Sequence, residues 1–286
     1  MRVLGVDFTS RPRAGKPITC AEASLRNRVL SVSGLRTLRD FAAFEALLRE
    51  PGPWVGGFDF PFGLPRSLLD KLHWPTQWSA YVKRVSAISR EEFRALLDAV
   101  RIARPVGARY LHRATDLPVG ASSPMKLVNP PVGLMFYEGA PRLLASGVSV
   151  MPCASGDTQR VALEAYPGAL ARQFTRQSYK SDERRKQSPA RRAARRRILD
   201  GILDPEPAFG FAVDIAPALV DDCVVDGSGD TLDAVLCALQ AAWACCQARG
   251  SYGIPDTVDA AEGWIVGPRA GVAATAQVRP KSEELE

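Results

Sequence analysis

The segment RVLGVDFTS, residues 2–10, decides how the chain is read. Val3, Leu4 and Val6 form a short apolar run rich in β-formers, and Asp7 interrupts it near its end. A carboxylate at the end of a buried strand is costly unless it is paired, hydrogen-bonded or bound to a cation. Two roles for Asp7 stand open at this point: member of an acidic cluster, or cap of a turn with Thr9 and Ser10.

Working outward, Ile18–Leu25 and Arg28–Ser33 read as strands joined by a tight turn at Arg26-Asn27. Leu35, Leu38, Phe41, Phe44, Leu47 and Leu48 recur at three- and four-residue steps, which predicts an amphipathic helix ending before Pro51-Gly52-Pro53. Trp54–Phe60 is a fourth strand, apolar on both faces and stopped by Pro61. A three-strand meander, a helix and a parallel strand form the opening order of a ribonuclease H-like α/β fold, a mixed sheet flanked by helices. Residues 61–151 read as a mainly helical insertion after the fourth strand, with helices at 66–72, 78–85 and 90–103. The Pro- and Gly-rich stretch LPVGASSPMKLVNPPVG, residues 117–133, is expected as an ordered loop, and the insertion as a cover over the sheet's functional edge. The core resumes with a strand at Val161–Tyr166, and Thr231–Gln247 is the clearest helix. One domain over residues 1–270 is expected, with 271–286 as a disordered tail.

Composition narrows the classes. The chain has 286 residues, 46% of them hydrophobic, enough for a sizeable core, yet no apolar run nears the ~20 residues that span a bilayer. The N-terminus enters a strand at once, without a signal-peptide pattern, so a cytoplasmic protein is expected. Six scattered cysteines without a C-x-x-C pair, and only His73 and His112, argue against structural zinc. A net charge of +6 favours an anionic partner, and its distribution is uneven. In the basic segment at about 172–200, Arg172–Arg197 holds eleven Lys or Arg against Asp182 and Glu183. Ser188-Pro189 predicts a helix start there.

Two-metal phosphodiester hydrolysis needs several carboxylates from different elements, and hard ions such as Mg²⁺ or Mn²⁺ take oxygen ligands. Asp7 and Asp59 come from neighbouring strands, while Asp230 and Asp233 share one helix face. The last pair also suits an N-cap and a dipole-facing carboxylate. Glu164, in EAYPG, is a fifth candidate, either a ligand or the partner of a basic residue in the segment that follows it; Glu262 reads as structural. Arg191, Arg192, Arg195 and Arg196 are candidate phosphate contacts, the alternative being a solvated helix face. Lys126 and Arg113 are weaker candidates of the same kind. Trp74, Trp78 and Tyr81 suit either base stacking or core packing.

The motifs VDFTS, GGFDFPFGLP, SSPMKLVNPPVG, MFYEGAPRLL, EAYPG, GDTLDAVLCALQAAW and EGWIVGP together resemble the family known as domain of unknown function 429. That resemblance implies a nuclease of ribonuclease H-like fold over nearly the whole chain. The acidic layout is similar to that of RuvC-type Holliday-junction resolvases. Carried over, it implies metal ligation by Asp7, Asp59, Asp230 and Asp233. The chain departs from that layout in using Asp rather than Glu on strand four and in its long insertion. The leading expectation is a Mg²⁺- or Mn²⁺-dependent nuclease acting on DNA or RNA. The alternatives are an actin-like ATPase or phosphotransferase, suggested by GVDFTS, and a non-catalytic nucleic-acid-binding protein of the same fold.

Overall fold

Strand β1 (Arg2–Asp7) lies inside a sheet, and alternation along it sends Val3, Gly5 and Asp7 to one face and Leu4, Val6 and Phe8 to the other. The computed structural model describes residues 1–204, 209–248 and 250–268; the tail expected at 271–286 lies outside the described residues. β2 (Ile18–Arg26) and β3 (Val29–Leu38) complete an antiparallel meander with β1. Helix α1 (Phe41–Arg49) then returns the chain to β4 (Trp54–Phe58), which pairs in parallel with β1. Strands β5 (Val148–Met151), β6 (Asp157–Glu164) and β7 (Ala212–Ile215) complete a seven-stranded sheet of order β5-β6-β4-β1-β2-β3-β7. Every neighbouring pair outside the meander is parallel.

Two expectations shift locally. The β2–β3 turn falls at Asn27-Arg28, whose φ values of 49° and 60° are those of a two-residue hairpin turn. The expected helix over 35–48 begins only at Phe41, where the Asp40 side chain accepts a hydrogen bond from the Ala43 N–H at 2.8 Å. Leu35 and Leu38 instead pair with Ala21 and Ile18, because β2 is long enough to carry the hairpin through to Leu38.

The segment after β4 forms α2 (Arg66–Lys71), α3 (Trp78–Ser86), α4 (Arg90–Ile102) and α5 (Val132–Ser146). α4 opens on a capping box between Ser89 and Glu92. These helices and α1 pack on the sheet face that carries Leu4, Val6 and Phe58, through Phe44, Leu68, Tyr81, Phe93 and Phe136. The helices of the segment therefore lie against that face of the sheet, while Ala121, Ser122, Asn129, Pro130 and Pro131 of its loop reach the cleft at the strand ends, and its end supplies β5. Trp74, Trp78 and Tyr81 are core residues: Trp78 donates to the Phe62 carbonyl at 2.6 Å and the Tyr81 hydroxyl to that of Ala261 at 2.6 Å. They are not available for base stacking. None of the described helices is long and apolar enough to cross a membrane.

The other face is covered by α7 (Pro189–Ile202), α8 (Pro217–Val225) and α9 (Asp230–Cys245), following the short α6 (Pro167–Ala171). The expected helix start at Ser188-Pro189 is present, with the Ser188 hydroxyl accepting from the Arg191 N–H. α9 approaches so closely that a Cβ on Gly5 would lie 2.0 Å from the Ala234 carbonyl oxygen and 2.2 Å from the Ala238 nitrogen. A Cβ on Gly57 would lie 2.3 Å from the Cys237 carbonyl oxygen. The sheet backbone is thus the floor on which the helix rests.

This contact makes a prediction. Gly5→Ala must push α9 off the sheet and should cost about 1–3 kcal/mol or more, as for other overpacked cores. Gly15→Ala, with nothing within 4 Å of its Cβ, is the control. Urea denaturation should separate the two; coincident midpoints would contradict the close approach.

Candidate active site

Period-two alternation places Asp7 two residues after Gly5 and Asp59 two after Gly57, both on the α9 side where the strands end. The parallel register carries through: Val6 pairs with Phe58, and the Asp59 N–H donates to the Val6 carbonyl at 2.9 Å. The first turn of α9 brings Asp230 and Asp233 to the same end. Asp7 feels the charges of Asp59, Asp230 and Asp233, and Asp233 also acts on Asp59 and Asp230. Asp7, Asp59 and Asp230 line a cleft of about 1360 Å³.

The capping role considered for the helix acids is held elsewhere. Gly229, at φ 81°, is the N-cap of α9, and Asp226 accepts the Thr231 N–H at 2.9 Å, the Ser228 N–H at 2.9 Å and the Ser228 hydroxyl at 2.6 Å. Asp233 is fully buried; its carboxylate accepts from the Tyr179 hydroxyl at 2.6 Å and pairs with the Lys180 ammonium. Asp230 is gripped by the Lys16 ammonium at 2.7 and 2.9 Å, which also reaches Asp182 at 2.7 Å. Asp7 caps no turn; Thr9 takes that part by accepting the Arg11 N–H at 3.5 Å. Among the described residues, neither the Asp7 nor the Asp59 carboxylate has a hydrogen-bond donor or ion-pair partner, and both open onto the cleft.

Electrostatics follow from this division. Burial, then Asp230 and Asp233, hold the Asp7 carboxyl well above the usual range, against the pull of Lys180. Burial pushes the Asp59 carboxyl up to about 7, with Lys180 opposing and Asp233 and Glu164 adding to the rise. Burial works against the Lys180 ammonium, but Asp233, Tyr179, Asp7 and Asp59 together keep it well above the ordinary lysine range.

Glu164 is committed to the wall of the cleft. It forms a bidentate ion pair with Arg113 at 2.6 and 2.7 Å and accepts the Phe62 N–H at 2.9 Å. Arg113 also holds Asp116 at 2.7 Å and the Glu262 carbonyl at 2.9 Å, so it is a buried tie between residues 113–116 and β6 rather than a phosphate contact. Glu262 is structural, accepting the Arg66 and Ala114 N–H groups at 2.7 and 2.8 Å.

The basic segment divides. Arg195 is buried and donates to the Val224 carbonyl at 2.9 and 3.0 Å and the Tyr179 carbonyl at 2.6 Å, so it holds α7 to α8 and to the site and is not free for nucleic acid. Arg192 and Arg196 are exposed on the outer side of α7, Arg196 lying 3.7 Å from Asp221. Arg191 lines a shallow pocket with Arg185 and Lys186, which continues the main cleft through Gln177 and Ser178. Lys126 lines neither. Arg13, Lys16, Arg172, Arg176, Lys180 and Arg184 give the cleft a basic rim that the sequence marked only as a general excess of charge.

The family model for proteins of unknown function, DUF429, matches residues 5–260. The chain belongs to that family. No curated protein and no solved structure matches it. The matched span takes in all four site carboxylates, Lys16, Lys180, Arg113 and Glu164. Among the described residues of this DUF429 member, no three His, Cys, Asp or Glu side chains are already disposed around a single point as a metal cage. Asp230 and Asp233 each carry a lysine ammonium instead.

The raised carboxyls fix the sign of a pH effect. A carboxyl whose affinity for protons rises on folding makes the native state bind more protons than the unfolded state between pH ~4 and ~7, so stability falls as pH rises through that window. In chelator, the protein should melt at a lower temperature at pH 7.5 than at pH 5.5, and Asp59→Asn should reduce that difference. Melting curves with equal pH dependence would contradict the assignment.

Proposed function

We propose that this protein is a Mg²⁺- or Mn²⁺-dependent nuclease that hydrolyses phosphodiester bonds of DNA or RNA on a ribonuclease H-like sheet. The observation that carries the reading is the pair of strand-end carboxylates, Asp7 and Asp59, desolvated, without a protein donor and open to a basic-rimmed cleft. The meander β1–β3 with β4 parallel to β1 supports the fold assignment, and β7 is an addition beyond β3. The layout of Asp7, Asp59, Asp230 and Asp233 also resembles that of RuvC-type resolvases.

The donor chemistry fits a hard divalent ion, since Mg²⁺ is commonly held by one or two carboxylates, several waters and substrate phosphates. Asp7 and Asp59 are the residues that would hold it, with Asp230 and Asp233 beside them. Such an ion supplies Lewis-acid stabilisation of phosphoryl charge and makes a bound water more acidic. The chain's own groups do the rest. Arg172, Arg176 and Arg184 attract the phosphate backbone into the cleft, and Arg185, Lys186 and Arg191 extend the path outward. The cleft exceeds the ~300–1,000 Å³ usual for small-molecule sites, which suits a polymer. Free thiols, three of them buried at Cys20, Cys223 and Cys237, suit action in the reducing cytoplasm.

Asp7→Asn keeps the shape of the side chain and removes one charge. It should abolish Mn²⁺-dependent cleavage of plasmid and oligonucleotide substrates, leave the metal-free melting temperature unchanged or higher, and shrink the thermal shift that Mn²⁺ produces. An undiminished Mn²⁺ shift would overturn the assignment. Removing charge at Arg172, Arg176 and Arg191 should weaken binding of unrelated sequences alike and flatten its salt dependence. Salt titrations indistinguishable from wild type would contradict the proposed path.

A further inference from the structure

The four carboxylates, three lining the cleft and Asp233 buried behind it, are not equivalent. The two on α9 have resident cations: Lys180 on Asp233, and Lys16 on Asp230. The two on the strands have none among the described residues. Lys180 and Lys16, the latter shared with Asp182, offset the helix carboxylates, and Asp7 and Asp59 are left as the pair whose two charges, once their protons leave, one divalent cation neutralises.

We propose that the site takes a single divalent ion, shared by Asp7 and Asp59, and that the Lys180 ammonium stands where a second ion would otherwise sit, facing the scissile phosphate. The inference rests on the metal-dependent nuclease reading and narrows it. Lys180 is fixed in place by its surroundings. The preceding residue, Tyr179, is anchored at both ends: its hydroxyl donates to Asp233 at 2.6 Å and its carbonyl accepts from buried Arg195 at 2.6 Å. The stem of Lys180 runs over Gly229, where a Cβ would lie 2.6 Å from that of Lys180, so the helix N-cap is shaped around it. Its side chain nevertheless retains 41% exposure and lines the cleft, so the ammonium can meet a ligand. A lysine held this way is a fixed point charge that needs no loading from solution. Lys16 does the corresponding work on Asp230 while tying the loop after β1 to Asp182 in the basic segment.

The test is Mn²⁺ titration by calorimetry, beside cleavage of a labelled oligonucleotide. Wild-type protein should bind one Mn²⁺ per chain. Lys180→Met frees Asp233 and should bind two. Because that variant leaves a buried carboxylate unpaired, at a cost that can unfold the chain, the Lys180→Met/Asp233→Asn double variant removes both charges. The double variant should bind one Mn²⁺ and lose about 10²-fold in kcat, the scale for loss of one electrostatic stabiliser, with a smaller change in KM. Two ions bound to wild type would overturn the inference and leave the nuclease reading standing. No ion bound would overturn both. One ion bound by folded Lys180→Met, or an unchanged kcat in the double variant, would overturn the role of Lys180. Single-ion binding by wild type without cleavage of any substrate would instead remove the nuclease reading beneath it.

Discussion

Helix α9 rests on bare backbone. Gly5 and Gly57 present no side chain to it, and Ala234, Cys237 and Ala238 present only small ones in return. A Cβ on either glycine would lie 2.0–2.3 Å from backbone atoms of the helix, so the helix would have to move. The consequence reaches beyond packing. In a strand, the residue two positions on points to the same side, so the glycines that admit the helix also set Asp7 and Asp59 beneath its N-terminal turn. Asp230 and Asp233 arrive from above through the same contact. The crowding of like charges is thus a product of close packing, and it is sustained because the surrounding core is too dense to relax.

Crowded carboxylates repel, and the protein answers in two ways. On the helix side, lysines from distant parts of the chain supply counter-charge, and Tyr179 and Arg195 fix the geometry of one of them. On the strand side no described residue donates to or ion-pairs with the carboxylates, and the pull of Lys180 does not outweigh burial, which raises both carboxyls. Nearby, Glu164 is raised by burial too, but a bidentate guanidinium and a backbone N–H occupy its oxygens. Burial of Arg113 with Glu164 and Asp116 makes the cleft wall stiff, since loss of one member would strand charge in the interior. The contrast between the satisfied Glu164 and the unsatisfied Asp7 and Asp59 separates wall from site.

Much of the fold was legible because its signals are local. A short apolar run of β-formers marked β1, and Pro189 after Ser188 marked the start of α7. Leu35 and Leu38 misled because their spacing suits a helix, whereas hairpin pairing with Ala21 and Ile18 decided their conformation. β7 is only four residues long, with one fully buried position, and owes its place to β3 rather than to its own pattern. The acids of the site were legible as residue types at strand and helix ends. Their partners were not: Lys16 with Asp230 and Arg113 with Glu164 are separated by 214 and 51 residues. The run of arginines drew attention to α7, but Arg195 faces inward, and Lys180 at the start of the segment is the cation that enters the site. The one available hint was Tyr179-Lys180, an aromatic beside a lysine ahead of the densest charge.

The central claim, that the strand carboxylates hold the ion while lysines pair the helix carboxylates, is tested most directly by crystallography with Mn²⁺. An anomalous-difference map from soaked crystals should place one ion against the Asp7 and Asp59 carboxylates, at roughly the 2.0–2.2 Å expected of a hard ion with oxygen donors, while Lys180 stays on Asp233. An ion found only between Asp230 and Asp233, with Lys180 displaced, would contradict the account.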